Sequence, residues 1–128
     1  MGRSADAESP LRAGAGGIDV ASFQTALLHA LADCSFVESV DLHRETVVVK
    51  GRVLLENDRF LQVYFNEQTG TTAYALIEDE HRLWGVDYDS LRGWHEHPLN
   101  RSAQHRDVSP MTPRDVVEAL TEVWDRLP

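Results

Sequence analysis

Three histidines cluster in the last third of the chain: His95 and His97, one residue apart, and His105. Imidazole changes charge nearest to neutral pH, so such a group can move protons, bind a metal or flank a phosphate. In an extended segment the spacing of His95 and His97 puts both rings on one side. There they could share a metal ion or face one phosphate. His105 widens the choice to a three-nitrogen metal face, or to an acid and a base. Asp87 and Asp89, just upstream, could orient a histidine or hold a divalent ion. Arg101, Arg92 and Arg106 carry planar forks suited to phosphate. Trp94 could stack on a base, and Tyr64, with Gln62 and Glu67, could floor the same site.

Each of these residues also has a plain structural reading. Histidines occur in solvated loops, and aspartates mark the polar exit from a strand. A tryptophan beside a turn is commonly a core residue. Arg92, next to Gly93, reads as a solvated surface arginine. Tyr64, Gln62 and Glu67 fit the wet face of a one-sided sheet. No tightly spaced zinc signature such as H-E-x-x-H is present, so no obligatory metal and no cofactor is expected. Acid–base chemistry at a phosphate needs neither: one neutral histidine takes a proton, a protonated one serves the leaving oxygen, and an arginine steadies the charge.

These residues follow a strand, Arg82-Leu-Trp-Gly-Val86, and are expected to form a polar loop on its end. Upstream, four further strands are expected: 36–40, 46–55 with a bulge at Gly51, 59–65, and 71–77. Alternation in the third sends Leu61, Val63 and Phe65 one way and Gln62 and Tyr64 the other. The joining turns are short, at 56–58, 66–70 and 78–81, so the strands must run antiparallel as a meander. A helix precedes them, capped by Asp19, with Ile18 and Phe23 placed as a hydrophobic staple. Val20, Phe23, Leu27 and Leu31 form its apolar stripe, and it should end near residues 32–34. A second helix closes the chain. Thr112 is its cap, Pro113 its first residue and Asp115 its capping-box partner, with Val116, Leu120, Val123 or Trp124, and Leu127 on one face. The fold class is therefore α+β: a central antiparallel sheet of about five strands, flanked by an N-terminal and a C-terminal helix.

At 128 residues the chain suits a single domain over 18–128, preceded by a glycine-rich segment, 1–17, that reads as a disordered tail. Twelve basic against 21 acidic residues give a net charge of −9, which argues against a general nucleic-acid or membrane binder. The charge is uneven. Between His81 and Asp107, four arginines cancel four acids, and four of the six histidines fall there. An anion-binding loop on an acidic body is compatible with this balance. Cys34 is the single cysteine, so no internal disulfide forms and a reducing cytoplasm is the expected compartment. No apolar run is long enough to span a membrane, and the first residues lack the apolar core of a secretion signal.

The order of elements resembles the TumE-type toxin family of toxin–antitoxin modules. The resemblance rests on the acidic strand end Asp87-Tyr88-Asp89, the pair His95 and His97, the later His105, and the terminal amphipathic helix. It spans about residues 53–124 and leaves out the first helix. Relatives often read Asp-Asn where this chain has Asp-Tyr-Asp. The resemblance implies a toxin-like ribonuclease acting without metal, with an RNA substrate and a cognate antitoxin as partners. Its catalytic residues would be His95, His97, His105, Asp87 and Asp89, and its substrate contacts Arg101, Trp94, Arg106 and Tyr64. A non-catalytic interaction module, binding a partner through its acidic body, is the second reading of the same residues.

Overall fold

The computed structural model describes residues 18–101 and 103–128. The segment 1–17, expected as a disordered tail, lies outside the described residues. Helix α1 (Val20–Leu31) leads into strands β1 (Val37–Glu45), β2 (Val48–Leu55), β3 (Arg59–Asn66), β4 (Thr72–Glu78) and β5 (His81–Asp89). Strands β6 (Gly93–His97) and β7 (Arg106–Asp107) follow, and helix α2 (Pro113–Trp124) closes the chain. Each strand pairs antiparallel with the next, so the sheet order is β1 to β7 without a crossover. The α+β class and the antiparallel meander are as the sequence predicts.

Among the described residues the sheet has seven strands rather than five. The two extra strands come from the stretch expected to be a polar loop. Asp89 turns the chain: its Oδ1 accepts from the backbone N–H groups of Leu91 and Arg92, at 2.9 and 2.8 Å. Gly93 completes the turn with φ +71°, which a glycine adopts without steric cost. The chain then runs back along β5, pairing Asp87 with His95 and Gly85 with His97. Asp87-Tyr88-Asp89 is thus the last part of β5. The bulge expected at Gly51 is also absent. Gly51 sits in regular register between Leu42 and Val63, and the irregularity in β1–β2 lies at Val37–Ser39. Glycine is required at position 51 because a Cβ would meet the Asp41 carbonyl at 2.1 Å, at φ +151°.

Both helices cover one face of the sheet. Asp19 caps α1 by accepting from Ser22 N, and the predicted stripe Val20, Phe23, Leu27 and Leu31 is buried. Thr112 and Asp115 form the predicted capping box of α2, behind Pro113. Val116, Leu120 and Val123 face the core. The sheet meets them with Val49, Val53, Leu61, Val63, Phe65, Tyr74, Leu76, Trp84 and Val86. Phe23 stacks on Phe65 at 4.4 Å, and Phe36 on Trp124 at 4.3 Å. Burying each such large apolar side chain contributes roughly 1.5–3 kcal/mol. Among the described residues the opposite face carries no helix, and on it lie the residues able to do chemistry. Among the described residues, no helix is long and apolar enough to cross a membrane.

Candidate functional site

Alternation along β6 sends Trp94 and Glu96 to the helix side and His95 and His97 to the open side. Register then assembles the site across strands. One row of paired positions runs Lys50, Tyr64, Ala73, Asp87, His95. The row beside it runs Arg52, Gln62, Ala75, Gly85, His97. The small residues Ala73 and Ala75 floor a polar trench of about 350 Å³, walled by Gln62, Tyr64, Arg82, Asp87 and Asp89. On the same face Arg52 lies over the Phe60 ring, 4.4 Å from its centroid.

At the β5–β6 end of the trench the histidines converge. The ring centroids of His95 and His97 are 5.3 Å apart, those of His95 and His105 5.3 Å, and those of His97 and His105 4.6 Å. One nitrogen from each ring lies within 4.8 Å of the others. Asp87 Oδ2 sits 2.9 Å from His97 Nε2 and 3.6 Å from His95 Nε2. His95 and His97 are only 1 % and 4 % exposed, while His105 is exposed. His95 Nδ1 lies 3.2 Å from the Gly93 carbonyl, which can only accept, so this nitrogen carries the proton. His95 Nε2 is buried and makes no hydrogen bond among the described residues.

Two neighbouring groups are tuned. Partial desolvation, then the electrostatic influence of its neighbours His97, Arg92, His95 and Arg82, holds His105 below the ordinary histidine range. The Arg92 N–H, with that of Leu91 and the Arg92 charge behind it, holds the Asp89 carboxyl below its usual range, against a smaller opposing desolvation. Chemically, the cluster can hold a divalent metal, and it can take up or release protons at an exposed ring backed by oriented ones.

Of the residues singled out in sequence, the fold joins His95, His97, His105 and Asp87. Asp89 and Tyr64 line the trench beside them, as does Gln62. Glu67 lies elsewhere, accepting from Val20 N at 2.9 Å and holding the start of α1. Trp94 lies on the helix side, 9 % exposed and 5.4 Å from the Tyr88 ring, lining an apolar cavity of about 640 Å³. Arg106 is paired with Glu96, whose other oxygen accepts from Trp84 Nε1 at 2.8 Å; this chain of contacts belongs to the helix side. Arg101 is exposed in the connection between β6 and β7, its backbone N–H bonded to the Pro98 carbonyl.

Three residues of the open face carry no local signal in sequence. Lys50 and Arg52 reach it by register alone. Arg82 walls the trench. Arg92, readable in sequence as a phosphate grip or as a solvated turn residue, places Nη1 3.5 Å from His105 Nδ1. The signal that would have found them is period-two alternation followed across paired strands. Compared with protein-family models, curated proteins and solved structures, the chain shows no match.

Proposed function

We propose that the protein is a toxin-like ribonuclease, cleaving RNA on the open face of the sheet in the cytoplasm, with a cognate antitoxin as partner. The observation that carries this reading is the convergence of His95, His97, His105 and Asp87 at one end of a polar trench. Asp87 orients His97, whose ring meets His105 edge-on. His105 is the exposed ring, able to touch a substrate and take the 2′-hydroxyl proton. Arg92 beside it offers charge to the phosphorane. The open face also suits a single strand: Lys50, Arg52 and Arg82 supply charge, and Tyr64 supplies a ring on which a base stacks. An antitoxin covering that face would silence the enzyme by exclusion.

The test is cleavage of single-stranded and transfer RNA by purified protein, compared with His105→Ala and Asp87→Asn. Loss of roughly 10²-fold in each variant, with folding intact, is expected. Intact RNA at every pH from about 5 to 9 would sink this reading and leave the non-catalytic interaction module.

A further inference from the structure

The histidine cluster has a property that proton transfer does not require. His95 presents a buried nitrogen, Nε2, without a hydrogen bond, 3.6 Å from a carboxylate oxygen. The other nitrogen of that ring is committed to the Gly93 carbonyl. A second-site hydrogen bond of this kind fixes the tautomer and leaves the lone pair of the opposite nitrogen facing outward, as in metal-ligating histidines. Here that lone pair faces Asp87 Oδ2. Two acceptors aimed at each other, one of them buried, are mutually unfavourable unless a proton or a metal cation lies between them. The His97 ring meets the same Asp87 oxygen at 2.9 Å, and a nitrogen of His105 lies within 4.8 Å of the other two.

We propose that His95, His97 and His105 form a three-nitrogen site for a borderline divalent metal, Zn²⁺ above all, with the Asp87 carboxylate beside it. Three imidazoles and one carboxylate match the donor preference of zinc; magnesium and calcium favour sites built of oxygen. Zinc–nitrogen bonds of about 2.0–2.1 Å in tetrahedral array set the nitrogens roughly 3.4 Å apart, so the cluster must contract by about an ångström. His105 can supply that movement, being exposed on the connection between β6 and β7, whereas His95 and His97 are held by the sheet. The sequence carries no zinc signature because two ligands come from one strand, the third from beyond a connection, and the carboxylate from the neighbouring strand.

The consequence for activity rests on the ribonuclease reading. A coordinated nitrogen neither accepts nor donates a proton, so metal occupancy and acid–base work exclude one another at the same nitrogen. Zinc therefore holds the enzyme latent, and its removal releases it.

Zinc binding by the full chain, stripped with chelator, is measured by competition with a chromophoric chelator, and the visible spectrum of the cobalt-loaded protein reports ligand geometry. One equivalent of zinc is expected, with a tetrahedral cobalt spectrum, and affinity lost by about 10²-fold or more in His95→Ala. His105→Ala gives the same loss at an exposed position where folding is not at risk, and Asp87→Asn gives a smaller loss. His43→Ala, on the edge strand, leaves binding unchanged. Zinc bound no more tightly by the natural chain than by His105→Ala overturns the site, even if the stripped protein cleaves RNA. Tight, His105-dependent zinc with RNA left intact by both forms supports the site and removes the ribonuclease reading instead. Cleavage that rises with zinc occupancy supports the site and overturns its silencing role.

Discussion

The two sides of β6 differ in almost everything except their backbone. Trp94 and Glu96 face the helices: Trp94 packs on Tyr88, and Glu96 takes a hydrogen bond from Trp84 and an ion pair from Arg106. His95 and His97 face the other way, toward Asp87 and His105. A strand thus divides its residues by parity, and a one-residue slip would exchange the two sets. The whole sheet follows the same division. One face is closed by α1 and α2 over an apolar core; the other keeps a polar trench with titratable groups at its end. Substitutions on the closed face should act through stability, and those on the open face through chemistry.

The sharpest way to break this comparison is Trp84→Ala. The ring is fully buried on the closed face, so its loss is expected to cost about 3–5 kcal/mol. Urea unfolding checks it, and an unchanged midpoint would mean that the core is not where the structure puts it. Next comes Asp87→Asn on the open face. On the proposed ribonuclease reading, cleavage of RNA should fall roughly 10²-fold, because the ring of His97 loses its orienting carboxylate. Its unfolding midpoint should move far less than that of Trp84→Ala; equal shifts in the two variants would erase the distinction between the faces.

A smaller effect is expected from Thr112→Ala, which removes the cap of α2 and half of its capping box. About 1 kcal/mol of stability should go, seen in thermal unfolding, with RNA cleavage by the folded fraction unchanged. The smallest concerns Cys34, on the closed side, its Sγ 3.9 Å from Thr121 Oγ1. Burial pushes its thiol above the ordinary range, against a smaller opposing effect from that hydroxyl. The thiolate is the reactive form, so alkylation by iodoacetamide should lag behind a free thiol at neutral pH and rise at higher pH. The sign for stability follows. The neutral thiol is favoured in the folded state, so its contribution holds below the unfolded thiol pKa and fades as pH rises through the folded value. An alkylation profile matching that of a free thiol would show that the site is open.

Much of the fold is legible in the residues themselves because its signals are local. Asp19 with Ser22, and Thr112 with Asp115, are caps formed within three residues. The two-residue turn Asp79-Glu80, with φ of +51° and +66°, suits a tight hairpin between β4 and β5. Leu61, Val63 and Phe65 alternate with Gln62 and Tyr64, and the structure buries the first set. The stretch Trp94-His95-Glu96-His97 alternates too, but without aliphatic residues, so its period reads as loop chemistry rather than as a strand. Only the turn at Asp89 to Gly93 and pairing with β5 make it one. β7, Arg106–Asp107, is too short to leave any periodic trace.

The site divides along the same line. That His95 and His97 would share a side, and that Asp87 and His105 were their nearest candidates for partners, follows from residue type and spacing alone. Which side they share, and what else lies there, was decided by register. Asp87 meets His95 because β5 and β6 pair at that position, and Lys50, Tyr64 and Ala73 fall in line because three more strand pairs hold the same phase. Trp94 is separated from its histidine neighbours for the same reason, since adjacent residues on a strand point to opposite faces. Local sequence sets helices, caps and turns through contacts a few residues long. The chemistry of this protein depends on contacts between residues up to several strands apart, and those exist only once the sheet has closed its pairing.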